Sequence, residues 1–142
     1  MPQPTTVKDC MRVHPLTISR DASLIQAVDI ILDSKLTGLT VTDDDGQVVG
    51  ILSELDCLQA TLTAIYNDGD PAYTRVEDAM NPATETCAPS DSIVEVAQAM
   101  LQSRQRRRPV IEDGKLVGQV STSNILWALI EHSRRKVKNA GK

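Results

Sequence analysis

Apolar positions along the chain fall into two matching sets. After Ser23, the residues Leu24, Ala27, Val28, Ile31 and Leu32 share one face at helical spacing; after Ser92, Ile93, Val96, Ala97, Met100 and Leu101 do the same. Ser23-x-x-Gln26 and Ser92-x-x-Glu95 are the pattern of a capping box, in which a hydroxyl and a longer polar side chain satisfy the first backbone donors of a helix. Each predicted helix leads to a strand, a turn and a strand, over 39–42, 43–46 and 47–52 in the first set and 109–111, 112–114 and 115–120 in the second. Short extended stretches are expected before the helices, near 16–18 and 85–87, and short turns before those, at 7–11 and 76–80. A closing helix starts near Ser53 and again near Ser121. The predicted order is β-α-β-β-α, twice.

The two sets are copies. Val7-Lys8-Asp9-Cys10-Met11 recurs as Val76-Glu77-Asp78-Ala79-Met80, an offset of 69 that holds through Val41 and Val110. One residue is then lost in the turn, and an offset of 68 places Gly50 on Gly118, Ser53 on Ser121 and Leu58 on Leu126. A gap confined to a turn is what a duplicated unit tolerates. Residues 1–66 are expected to hold the first copy and 76–136 the second. The breaker-rich run 67–75 serves as a linker, and 137–142 form a basic tail that should fray. One such unit of about 60 residues has a marginal core, so two copies related by a pseudo-twofold axis are expected to pack together.

Composition narrows the function. Phe is absent, and Trp127, Tyr66 and Tyr73 are the chain's aromatics, so the core must be aliphatic, and the scarcity of stacking platforms weakens a single-stranded nucleic-acid reading. The net charge of −4 is uneven: Arg104, Arg106, Arg107 and Arg108 make one basic cluster, and Arg134, Arg135, Lys136, Lys138 and Lys142 another. These hold nine of the fifteen basic residues, which leaves the rest of the chain acidic, disfavours nucleic acid as a partner and leaves room for a small anion beside the arginines. Cys10, Cys57 and Cys87 are far apart and read as small buried hydrophobes, with no metal site expected from them or from His14 and His132. No run of about 18 apolar residues and no basic-then-apolar leader is seen, so the expected location is cytoplasmic, without membrane insertion.

Three features, each present in both copies and in the same order, resemble the CBS domain, named for cystathionine β-synthase. They are the opening Val-x-Asp-x-Met, the hairpins 41–50 and 109–118, and the segments Gly50-Ile51-Leu52-Ser53-Glu54-Leu55-Asp56 and Gly118-Gln119-Val120-Ser121-Thr122-Ser123-Asn124. The resemblance spans about 7–60 and 76–130. It implies an α/β fold of two repeats, the CBS pair or Bateman module, often assembled as a homodimer. It also implies an adenosyl ligand (AMP, ADP, ATP or S-adenosylmethionine) held between the repeats, with no catalytic cofactor, and regulation of a separate protein, here by a stand-alone module of bacterial type.

Ser53-x-x-Asp56 is the sharpest chemical feature. A helix start offers backbone donors and a positive dipole to phosphate, and a carboxylate one turn in can accept from a ribose diol. Gly50 would let the backbone approach a ligand. The same four-residue pattern is an ordinary capping box, and the two roles are compatible. In the second copy Ser121 is kept but Asn124 replaces the acid, so that half-site should be weaker or take a different ligand, and Glu54 opposes a polyphosphate beside Ser53. By resemblance, Gly38, Leu39, Arg106, Arg107 and Pro109 line the cleft, with Thr17, Ile18 and Thr86 flanking the base. Arg106 and Arg107 read equally as a solvated helix end, and Thr17, Ile18 and Thr86 as plain strand residues. The alternative function is a structural dimerisation module with degenerate sites. Catalysis is disfavoured because no phosphate loop, nucleophile–base set or metal cluster occurs in the sequence.

Overall fold

The computed structural model describes residues 6–82 and 85–140. In chain order the elements are α1 (Val7–Cys10), β1 (Arg12–Val13), β2 (Thr17–Ser19), α2 (Leu24–Ser34), β3 (Gly38–Thr42), β4 (Val48–Ser53), α3 (Glu54–Tyr66), a 3-10 turn (Pro71–Tyr73), α4 (Val76–Ala79), β5 (Asn81–Pro82), α5 (Ile93–Ser103), β6 (Arg107–Glu112), β7 (Lys115–Ser121) and α6 (Thr122–Ala140). They make two α/β units that do not follow chain order. Residues 16–82 form a continuous unit, whereas 6–15 join 85–140 in a split unit.

The continuous unit is a four-stranded sheet ordered β2-β3-β4-β5. β2 and β3 are parallel, joined by α2, and the remaining pairs are antiparallel. The Ser23 cap forms as predicted: Gln26 N–H donates to Ser23 Oγ (3.2 Å) and Ser23 N–H donates to Gln26 Oε1 (2.9 Å). The split unit is a three-stranded sheet ordered β1-β7-β6. Its stretch near 85–87 is reduced to one parallel bridge between Cys87 and Val110. The reason is local: Ala88 N–H turns to Asp91 Oδ2 (2.8 Å) and Pro89 has no N–H to offer a ladder. Ser92 likewise caps α5 alone, through Val94 N–H (3.2 Å), without Glu95 closing a box.

The single-residue gap between the copies has a physical origin in the hairpins. Asp113 (φ 52°) and Gly114 (φ 78°) are both left-handed, as a two-residue turn between antiparallel strands requires. The longer first-copy turn is held instead by Asp43 Oδ1, which accepts from Asp45 N–H and Gln47 N–H, both at 2.9 Å, with Gly46 alone left-handed among the turn residues 43–47.

The turns expected at 7–11 and 76–80 are single-turn helices, each followed by a two-residue strand that periodicity cannot reveal. Their burial explains the division into units. Val76 is fully buried among Leu24, Leu39 and Leu52, and its N–H donates to Ala22 O (2.9 Å). Val7 is fully buried among Ile93, Val110 and Val120, and its N–H donates to Asp91 O (2.9 Å). Each opening motif therefore completes the core of the hairpin from the other copy. Both cores are aliphatic, with Cys57 and Cys87 inside them and Cys10 half-buried. Leu32 and Leu101, expected on the buried helix faces, point to solvent at 63% and 77% exposure. α6 continues to Ala140, so 137–140 are helical rather than frayed, and 141–142 lie outside the described residues.

Val7→Ala should cost about 2 kcal/mol in urea unfolding, from the lost methyls and the cavity left behind. In native-state hydrogen exchange, β6 and β7 should lose protection, while β3 and β4 keep wild-type rates.

Candidate functional site

In the continuous unit, antiparallel register sets Ser53, the last residue of β4, opposite Gly38, the first of β3. α3 starts at once. Asp56 N–H donates to Ser53 Oγ (3.0 Å), Ser53 N–H donates to Asp56 Oδ2 (2.8 Å), and Glu54 N–H donates to Thr37 O (2.8 Å). Three donors of the helix start thus already have protein acceptors. Asn81 adds to this from β5, its Nδ2 donating to Asp56 Oδ1 (2.9 Å) and Oδ2 (3.0 Å). Of the roughly four acceptor positions of a carboxylate, three are occupied, one by a backbone donor and two by an exposed amide.

The other first-copy candidates divide by role. Leu39 is fully buried in the core and offers only its backbone. Thr17 and Ile18 lie on the neighbouring strand, opposite Thr40 and Val41, with Thr17 exposed and Ile18 buried. Gly50 serves the protein itself. A Cβ there would fall on Met80 Sδ and 2.8 Å from Asn81 O, so its missing side chain is what admits α4 and β5 against β4. Gly118 is the counterpart, 2.7 Å from Met11 Sδ and 3.0 Å from Arg12 O on the same construction.

The split unit repeats the scaffold with different chemistry. Ser121 stands opposite Arg107, and Thr122 N–H donates to Arg106 O (2.9 Å). Asn124 replaces the acid in the same reciprocal cap: its N–H donates to Ser121 Oγ (3.1 Å) and its Oδ1 accepts from Ser121 N–H (3.2 Å). Pro109 is buried opposite Gln119, and Thr86 is exposed just before the Cys87 bridge. The arginine cluster is not uniform. Arg106 is exposed, while Arg107 is half-buried, with burial and then Arg106 pushing its pKa down. Arg108 is 5% exposed and committed internally, to Gln105 Oε1 through Nη2 (2.7 Å) and Nε (3.0 Å) and to Glu85 at 3.8 Å.

Asp56 and Asn81 also line an open cavity of about 500 Å³ in the continuous unit, together with Gln59, Thr63, Asn67 and Asp78. The size lies within the range of small-molecule pockets. Its lining holds two carboxylates and no cation, which favours donors such as hydroxyls and opposes phosphate. Asn81 was not evident as a candidate in the sequence. The available signal is its place directly after the Met of the repeated motif, where the first copy has Arg12. Among the described residues no group of three or more His, Cys, Asp or Glu is placed to hold a metal ion, and no helix is long and apolar enough to cross a membrane.

The CBS domain family matches residues 7–63 and 76–131, and the chain belongs to that family. It is 25% identical over 160 residues to the chloroplastic CBS domain-containing protein CBSX1 of Arabidopsis thaliana, covering 96% of this chain and 66% of that one. It is 30% identical over 116 residues to subunit gamma-3 of the human 5'-AMP-activated protein kinase, covering 77% of this chain and 23% of that one. The chain therefore spans two thirds or less of these relatives. Among solved structures it resembles Arabidopsis CBSX2 in complex with AMP, with a TM-score of 0.79, 28% identity, and coverage of 91% of this chain and 98% of that one.

Two outcomes follow from the geometry. Gly50→Ala should destabilise the protein by about 1–3 kcal/mol through overpacking, and Met80→Ala should restore only part of this because the Asn81 carbonyl contact remains. Burial, followed by neighbouring carboxylates for Cys57, pushes the thiols of Cys57 and Cys87 up to about 11 from an ordinary value of 9.0. A folded-state pKa above the unfolded one gives stability that is present below pH 9.0 and lost as pH rises toward 11. The melting temperature should fall across that window. Both thiols should resist a disulfide reagent at pH 8, where about one part in a thousand is thiolate.

Proposed function

We propose that the chain is a non-enzymatic regulatory module that binds an adenosyl ligand, such as AMP, ADP, ATP or S-adenosylmethionine, using Ser53 and Asp56, and that signals through a change of conformation or assembly. The observation that carries this reading is the Asp56 carboxylate at a helix start, on the wall of a cavity of about 500 Å³ and masked by one exposed amide. A ribose diol donates two hydrogen bonds, and displacing Asn81 frees the acceptors to receive them. The relative CBSX2 with bound AMP supports the ligand class. The acidic lining of the cavity suits the hydroxyl-bearing nucleoside part of such a ligand. Signalling requires the ligand to favour one of two states by its differential affinity.

Exposed apolar stripes support a homodimer. On α3, Leu55, Leu58, Leu62 and Ile65 follow the 3-4-3 spacing of a packing seam, each at least 46% exposed. On α6, Leu126, Trp127, Ile130 and Val137 are exposed in the same way. A second reading, a dimerisation module without ligand, is favoured by the capping bonds that already occupy Ser53 and Asp56, and by their repetition at Ser121 and Asn124.

Melting curves with about 1 mM AMP, ADP, ATP, S-adenosylmethionine or GTP separate the two readings. A ligand at a hundred times its Kd adds about 2.7 kcal/mol, a shift of several degrees. Adenosyl ligands should raise the melting temperature and GTP should not. Asp56→Ala should abolish the shift, and Asn81→Ala should strengthen binding about three- to tenfold by releasing the carboxylate. No shift with any ligand, in wild type and in Asn81→Ala alike, leaves the dimerisation module as the function.

A further inference from the structure

The unit that carries the cavity beside α3 is acidic. Residues 16–84 hold twelve acidic and three basic residues, a formal −9. The remainder holds twelve basic and seven acidic residues, +5, which together give the chain's −4. Of the three cations in the acidic stretch, Arg75 is engaged by Glu77 at 3.6 Å, and neither Arg20 nor Lys35 lines the cavity. Among the described residues no cation pairs with Asp56 or Asp78, the two carboxylates of the cavity wall.

Asp78 is free of the role that its equivalent fills. In the first Val-x-Asp-x-Met motif Asp9 closes a capping box at the start of α1, where its Oδ2 accepts from Thr6 N–H (3.3 Å) and Thr6 Oγ1 (3.2 Å). In the second motif the residue before the helix is Arg75, which has no hydroxyl to offer, and no side-chain cap forms on α4. Asp78 is exposed, and among the described residues no hydrogen bond or ion pair holds its carboxylate. The other polar residues of the wall, such as Gln59, Asn67 and Asn81, are neutral. Asp56 already accepts from neutral donors, its own helix start and Asn81. The cavity therefore holds one carboxylate suited to hydroxyls and a second that nothing else in the unit neutralises.

We propose that Asp78 sets the charge of the ligand. Among adenosyl compounds the cavity selects a nucleoside that bears a cation and no phosphate, a sulfonium such as S-adenosylmethionine, over AMP, ADP and ATP. This rests on the adenosyl reading above and adds its specificity. With Asp56 on the ribose diol, Asp78 is the carboxylate that meets whatever the rest of the ligand brings. A sulfonium or ammonium there faces an opposite charge. A phosphate there faces two like charges and no cation, and each further phosphate adds to the repulsion. Because Asp78 is exposed, the discrimination is moderate, about tenfold between ligands that differ by one charge, and it is screened by salt.

Titration calorimetry on the full-length protein with two matched pairs isolates the charge. S-adenosylmethionine and S-adenosylhomocysteine differ by a methyl group and the positive charge on sulfur; adenosine and AMP differ by the phosphate. At about 50 mM NaCl the sulfonium should bind about tenfold tighter than the thioether, and adenosine about tenfold tighter than AMP. At about 500 mM both ratios should shrink to about threefold. Asp78→Asn keeps the shape of the side chain and should bring both ratios close to one, with the wild-type melting temperature and unchanged affinity for adenosine. Asp56→Ala should remove binding of all four. A wild-type preference for AMP, ratios indifferent to salt, or ratios that survive in Asp78→Asn would overturn the selection by Asp78 and leave the adenosyl reading standing. Binding of none of the four, in wild type and in Asn81→Ala alike, would remove that reading and this specificity with it.

Discussion

The fold depends on a seat without a side chain. Gly50 in β4 and Gly118 in β7 each leave a gap in the middle of a hairpin strand, and the segment that fills it brings a methionine and then a short strand. Met80 with β5 fills the first gap, and Met11 with β1 fills the second. Once the methionine is in place, the valine four residues before it reaches the core: Val76 against Leu39 and Leu52, Val7 against Val110 and Val120. The Val-x-Asp-x-Met motif is thus a plug spaced by one helical turn. Because each plug sits in the hairpin of the other copy, the exchange defines the two units.

The same seat sets the chemistry at the start of α3. β5 pairs with β4 only because Gly50 lets it approach, and that pairing delivers Asn81 to Asp56. In the split unit the equivalent strand delivers Arg12, and the equivalent acid is Asn124. Where the continuous unit has an amide and a carboxylate, the split unit has a guanidinium and an amide at the equivalent positions. Duplication has kept the scaffold and inverted the charge, in keeping with the opposite net charges of the two units. The starts of α3 and α6 are therefore chemically distinct.

Much of the local structure was legible in the sequence because it is encoded locally. Ser23 and Gln26, or Ser53 and Asp56, are three residues apart and find each other as soon as a helix turn forms. The Asp113-Gly114 turn is set by two residues' backbone preferences. What was not legible depends on distance along the chain. Nothing in Val7 or Val76 says which hairpin will bury it, since both hairpins offer the same aliphatic floor. Asn81 and Asp56 are 25 positions apart and belong to no common pattern. The burial of Arg108 was hidden for another reason: in a run of arginines it looks like part of a solvated patch, and it is Gln105, Ser103 and Glu85, which hold its guanidinium, that distinguish it from Arg106. The short strands β1 and β5 are too brief to show an alternating pattern at all.

The exchange of opening segments imposes an order on synthesis. A chain emerging from the ribosome completes the continuous unit when residue 82 is free, since every core member from Ile18 to Val76 is by then available. Val7 has no such partner at that stage: Val110 and Val120 are still to be made. The leading segment must stay open for roughly a hundred residues of translation, some five to twenty seconds at ordinary elongation rates. In that interval an empty seat at Gly50 and a free Met11 are both present, and the motif nearest in time is the one in the wrong copy. Faithful folding of the nascent chain thus requires Met80, the later-made plug, to prevail at Gly50 over the one that arrives first.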